Sequence, residues 1–101
     1  MKILSEYHLR AVIFHGFIGS KEQAQRAVHQ GYYLSFGERT FRSPKTIEAL
    51  RSTPLSSLFV ESDESTTPIE DIYAKIAEIR GISVAKLIAA TEDNFKRIFN
   101  S

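Results

Sequence analysis

Three short apolar runs, each closed by polar residues and followed by a capped amphipathic segment, constrain this chain more than any other feature. Ala11-Val12-Ile13-Phe14 lacks polar alternation, the pattern of a strand covered on both faces in a parallel sheet, and His15 stands at its end. Tyr32-Tyr33-Leu34-Ser35-Phe36 is the second run, rich in aromatic residues and closed by Gly37. Leu58-Phe59-Val60-Glu61 is the third. It finishes among carboxylates, Glu61 and Asp63 with Glu64 beyond.

The intervening segments carry helix punctuation. Ser20 with Gln23 forms a capping box, and the helix it opens should reach Gln30, where Gly31 supplies a left-handed stop. Ser43 before Pro44 is a second N-cap, with Ile47 and Leu50 as a narrow apolar face and Thr53-Pro54 as the end. Thr67-Pro68-Ile69-Glu70 combines an N-cap, a first-turn proline and an N3 glutamate. Ile69, Ile72, Tyr73, Ile76 and Ile79 then follow the helical period to Gly81. A last helix from Ser83 sets Val84, Leu87, Ile88, Thr91, Phe95, Ile98 and Phe99 on one stripe, expected to face the core.

The order strand, helix, strand, helix, strand, helix, helix implies parallel strands joined by right-handed crossovers, in an α/β sheet or part of a barrel. With 101 residues, 43% of them hydrophobic and 25% charged, a single globular domain over residues 1–101 is expected. A complete eight-unit barrel takes about 250 residues and does not fit. Thirteen Lys and Arg against twelve Asp and Glu leave a charge of +1, so no strong field draws the chain to nucleic acid or to a membrane surface. The lack of cysteine excludes a disulfide framework, a zinc ribbon and a thiol nucleophile, and agrees with a reducing compartment. Neither a membrane span nor the apolar region of a signal peptide is visible, and the expected location is cytoplasmic.

In either architecture ligands gather at the carboxyl ends of the strands, where His15, the stretch from Gly37 to Arg39, and Glu61 to Asp63 all fall. A histidine and an aspartate from different parallel strands can share a divalent cation such as zinc, manganese or magnesium. The ordinary alternative is a loop histidine and a solvated Glu61-Ser62-Asp63 turn. Strand alternation puts Glu61 and Asp63 on one face. Asp63, nearer the open end, is then the better ligand or general base, and Glu61, one layer deeper, would orient a ligand or a water.

Gly19 and Ser20 open a helix whose free N–H groups could favour an anion such as phosphate, with Arg39 and Arg42 following the second strand. No Walker or dinucleotide fingerprint accompanies them, and two glycines in such a turn are ordinarily turn geometry. His8 is expected to be exposed, His29 to sit against a helix end, and Tyr32 and Tyr33 to belong to the sheet. Ser35 has no histidine at triad spacing.

Taken together, Ala11-Val12-Ile13-Phe14-His15-Gly16-Phe17-Ile18-Gly19-Ser20, then Gly31-Tyr32-Tyr33-Leu34-Ser35-Phe36, then Leu58-Phe59-Val60-Glu61-Ser62-Asp63 resemble the C-terminal part of the TatD family of metal-dependent deoxyribonucleases. The segments Ile76 to Val84 and Thr91 to Phe99 are similar to that family's closing helices. The resemblance implies a partial TIM barrel of the amidohydrolase-like type, namely the last three βα units plus a C-terminal helix. It further implies cleavage of phosphodiester bonds in DNA by metal-activated water, with one or two divalent ions (Mg, Mn or Zn). His15 matches the metal-ligating histidine of the family's His-Cys-Phe-x-Gly-Ser motif. Asp63 matches the aspartate of its Glu-Thr-Asp motif, a metal ligand and base, and Glu61 matches the first residue of that motif, behind the ligands.

The departures from the family pattern are informative. Gly16 stands where the family usually has cysteine, and the segment after Asp63 enters a helix almost directly. The family's N-terminal His-x-His pair, its bridging glutamate and its other ligand histidine have no counterpart in these residues. His15 and Asp63 are two ligands where a catalytic site ordinarily takes three from the protein, so the isolated chain is expected to be inactive. The alternative is a non-catalytic α/β binding or self-association module, because an open three-stranded parallel sheet leaves edges to be paired.

Overall fold

In the computed structural model, which describes residues 12–62 and 67–99, the three apolar runs form one parallel sheet. Its strands are β1 (Ile13–Phe14), β2 (Tyr33–Phe36) and β3 (Leu58–Val60), in that spatial order. Ile13 lies opposite Tyr33, Leu34 opposite Leu58, and Phe36 opposite Val60. Helix α1 (Lys21–His29) connects β1 to β2, and α2 (Pro44–Ser52) connects β2 to β3. Short 3-10 turns flank α2 at Glu38–Arg42 and Leu55–Ser57. Helices α3 (Ile69–Arg80) and α4 (Val84–Phe99) close the chain. No helix among the described residues is long and apolar enough to cross a membrane.

Local chemistry starts α1 and α2, and stops α1 and α3, where the sequence indicates. Ser20 Oγ accepts from the Gln23 N–H at 3.2 Å while Gln23 Oε1 accepts from the Ser20 N–H at 2.8 Å, so two amides without helical partners are satisfied reciprocally. Ser43 caps α2 in front of Pro44. Gly31 and Gly81 take φ +86° and +70° after α1 and α3, the left-handed stop that a β-carbon disfavours.

Register and alternation divide the sheet into two faces. Leu34, Phe36 and Leu58 are buried with Ala24, Ala49, Leu50, Ile72, Ile76, Ala77 and Leu87 in one core beneath the helices. Tyr33, Ser35 and Phe59 share the opposite face, where the Tyr33 and Phe59 rings meet at 5.5 Å. Arg80, at the end of α3, donates Nη1 to the carbonyls of Leu50 (2.8 Å) and Thr53 and so ties α3 to the end of α2. Burial pushes the guanidinium below its ordinary pKa, and the cation sits where the α2 dipole favours it.

Three expectations need correction. β1 is not covered on both faces: it is an edge strand, and Phe14 is 42% exposed, because among the described residues no strand pairs with its outer side. Thr67 does not cap α3. Pro68 holds the N-cap position with no side-chain bond, and Thr67 Oγ1 instead donates to Glu38 Oε2 at 2.8 Å, a charged acceptor that outcompetes a helix amide. The α4 stripe is not wholly core. The helix rests on β3 and α3 through Leu87, Thr91 and Asn94, which leaves Val84, Ile88, Phe95 (54%) and Phe99 (61%) exposed.

Candidate metal and active site

The carboxyl ends of the three strands lie side by side because the strands are parallel and in sequence order, so residues far apart in the chain meet there. After β1 the chain turns at His15 and Gly16 and stays against β2, where the Phe17 N–H donates to the Ser35 carbonyl at 2.9 Å. After β3 the ladder continues one step further, with the Glu61 N–H donating to the Phe36 carbonyl at 3.0 Å. These two extensions bring His15 and Glu61, separated by 46 positions, into contact: His15 Nδ1 lies 3.2 Å from Glu61 Oε1.

The two side chains differ sharply in exposure. His15 is 75% exposed at its side chain and Glu61 23%. The carboxylate is the more buried partner and the imidazole projects from it, with Nδ1 engaged. A carboxylate that accepts from one ring nitrogen fixes the tautomer and raises the donor strength of the other, the arrangement of metal-ligating histidines. Among the described residues no group of three His, Cys, Asp or Glu side chains converges. The donor set described at this edge is one imidazole backed by one carboxylate.

Asp63 lies outside the described residues, as do His8 and Glu64. The amides of Gly19 and Ser20 are engaged within the protein: the Gly19 N–H donates to Thr46 Oγ1 at 3.0 Å and the Ser20 N–H to Gln23. Arg42 reaches toward Glu38, with Nη2 3.9 Å from Oε2. His29 is exposed at the last residue of α1. Tyr33 lies in β2 as expected, while the Tyr32 ring meets Phe14 edge-on at 5.4 Å.

Sequence reasoning missed the contact between Thr67 and Glu38. It joins the start of α3 to the turn after β2 across 29 positions, at the edge where His15 and Glu61 meet. No local signal marks it, since Thr-Pro before a helical period reads as a cap.

A family profile described as TatD related DNase matches residues 1–100. An uncharacterized metal-dependent hydrolase of Escherichia coli, YcfH, is 30% identical over 103 aligned residues, covering 87% of this chain and 39% of the relative. The human deoxyribonuclease TATDN3 is 28% identical over 110 residues, covering 98% of this chain and 40% of the relative. The solved structure of YjjV, a TatD homologue from Escherichia coli, matches with a TM-score of 0.78 at 25% identity, covering all of this chain and 45% of that one. The chain thus spans 39 to 45% of the length of these proteins. The three βα units and closing helices are α/β architecture of the TatD barrel type, as the partial-barrel expectation holds.

Proposed function

This chain belongs to the TatD related DNase family, and on that premise we propose that it supplies the last three βα units and closing helix of a metal-dependent hydrolase acting on phosphodiester bonds of DNA. The observation that carries the reading is the His15–Glu61 pair at the carboxyl edge of the sheet, with the imidazole exposed and oriented. His15, through Nε2, and Asp63 would hold a divalent cation (Mg, Mn or Zn). Such a cation supplies Lewis acidity toward a phosphoryl oxygen and acidifies a water. Glu61 keeps the His15 proton on Nδ1. Asp63, also the base of the proposed reaction, takes the proton from the attacking water.

On this reading the isolated chain is inactive, because His15 and Asp63 are two ligands where catalytic sites ordinarily use three. Metal uptake should be correspondingly weak, with a dissociation constant on the order of 1 mM, worth about 4 kcal/mol. Titration with Mn²⁺ followed by NMR should broaden the His15 ring resonances first, and His15→Ala should abolish the localised effect. Broadening confined to other residues would contradict the assignment.

A second reading, self-association, is favoured by the exposed apolar residues. Phe95 and Phe99, with ring centroids 4.5 Å apart, continue an exposed stripe with Val84 and Ile88, and Phe95 borders an open hollow of about 280 Å³ lined by Phe59, Tyr73 and Thr91. Contiguous apolar surface of this kind marks an interface. We expect sedimentation to show dimers or larger species, and the double variant Phe95→Lys/Phe99→Lys to be monomeric. A monodisperse wild-type monomer would refute this reading.

A further inference from the structure

Building on the assignment of His15 as a ligand, we propose that Gly37 is a positioning residue. The missing side chain there lets Glu61 lie against the end of β2 and aims its carboxylate at His15. A β-carbon placed on Gly37 would stand 3.0 Å from the Glu61 carbonyl oxygen and 3.4 Å from its Cγ, the first tighter than ordinary van der Waals contact. The Glu61 N–H is held by the Phe36 carbonyl at 3.0 Å, so relief comes from a tilt of the Glu61 carbonyl by a few tenths of an ångström about that bond. The side chain springs from the same residue, and the carboxylate moves with it. Gly37 itself sits at φ −138°, extended backbone open to any residue, so proximity and not conformation calls for glycine there.

Gly16 bounds the carboxylate on its other side. A β-carbon there would stand 3.4 Å from Glu61 Oε2, and φ is +60°, in the left-handed region. The carboxylate is held between the backbones that follow β1 and β2, with Oε1 on His15 Nδ1. Glycine at both positions thus sets which ring nitrogen carries the proton and leaves the Nε2 lone pair for the cation.

The test is the tautomer of the neutral His15 ring in the metal-free chain, read from its nitrogen chemical shifts. Wild type should hold the proton on Nδ1, because the ionised Glu61 carboxylate can only accept. Gly37→Ala and Glu61→Ala, folded by circular dichroism, should each raise the Nε2-protonated fraction at least about twofold, equivalent to roughly 0.4 kcal/mol. A folded Gly37→Ala with the wild-type tautomer ratio would overturn the proposal, as would a wild-type ring protonated on Nε2. Should Gly37→Ala fail to fold, the wild-type chain still decides. Overhauser contacts between the Gly37 α protons and the Glu61 γ protons support the cradle, and their absence overturns it. Because the chain is metal-free here, a correct tautomer with no Mn²⁺ effect at His15 would defeat the ligand assignment and leave the cradle standing.

Discussion

Phe36→Ala is expected to unfold a large fraction of this chain at ambient temperature. Phe36 is fully buried in the middle strand, and its ring meets Phe17 edge-on at 5.8 Å. Truncating a buried phenylalanine costs about 3–5 kcal/mol through lost transfer energy and the cavity left behind. A domain of this size has about 5–15 kcal/mol in total, and an edge strand as exposed as β1 places this chain at the lower end. The loss reaches the site as well, because the Phe36 carbonyl holds the Glu61 N–H and Gly37 follows it directly. Urea denaturation should therefore show a strongly reduced midpoint, with the Nδ1 tautomer of His15 lost in the same transition. A change below about 1 kcal/mol would mean that β2 is not the centre of the core.

Asn94→Leu should also destabilise the chain markedly, although asparagine and leucine are close in volume. Asn94 is buried on α4, and its Nδ2 donates to the carbonyls of Leu55 and Leu58 at 2.8 Å each. This pair of bonds docks α4 on the start of β3. Leucine leaves the buried Leu58 carbonyl unpaired, at about 1–3 kcal/mol, and removes one of two bonds from the Leu55 carbonyl, which keeps the Leu58 N–H. Asn94→Asp should be worse at neutral pH, since an ionised carboxylate would face the two carbonyl oxygens. Burial and those oxygens raise its folded-state pKa above the unfolded value. The folded state then holds the proton more tightly, so the stability of Asn94→Asp should recover as pH falls and be lost as pH rises through the folded pKa. Thermal melts of both variants across pH check the order. An Asn94→Leu protein as stable as wild type would show that the Asn94 bonds do not hold α4 in place.

Much of this architecture is legible from residue order. The Ser20-x-x-Gln23 box and Ser43-Pro44 work through contacts within one turn, which is why they appear in the structure as the sequence indicates. Strand positions follow from apolar runs, and sequential parallel strands place His15 and Glu61 at one edge. Pairing between these two residues is a tertiary event that no spacing encodes. Thr67 was misread because its local motif is that of a cap, whereas its partner Glu38 lies 29 positions away. The α4 stripe misled for a different reason. Helical periodicity reports which side is apolar, but how much of it is buried depends on what stands opposite, and here only part of the stripe meets β3 and α3.

The role of Gly37 was equally invisible. A glycine closing a strand reads as a turn, and only the approach of Glu61 to its Cα shows another reason for it. Gly16, read first as a departure from a cysteine-bearing motif, proves to be a left-handed residue beside the same carboxylate. Near-neutral net charge takes on a sharper meaning too. With a formal charge of +1, the proposed role of this chain at a DNA substrate rests on His15 and Asp63 and their supports, not on a basic surface.

Cleavage of DNA by the isolated chain in the presence of Mg²⁺, Mn²⁺ or Zn²⁺, measured beside Asp63→Ala and a full-length relative, tests the central claim most directly. Cleavage should come from the relative alone, with the chain and Asp63→Ala both at the level of the protein-free control. Metal-dependent cleavage by the chain that disappears in Asp63→Ala would contradict that claim, by showing that these 101 residues complete a catalytic centre on their own.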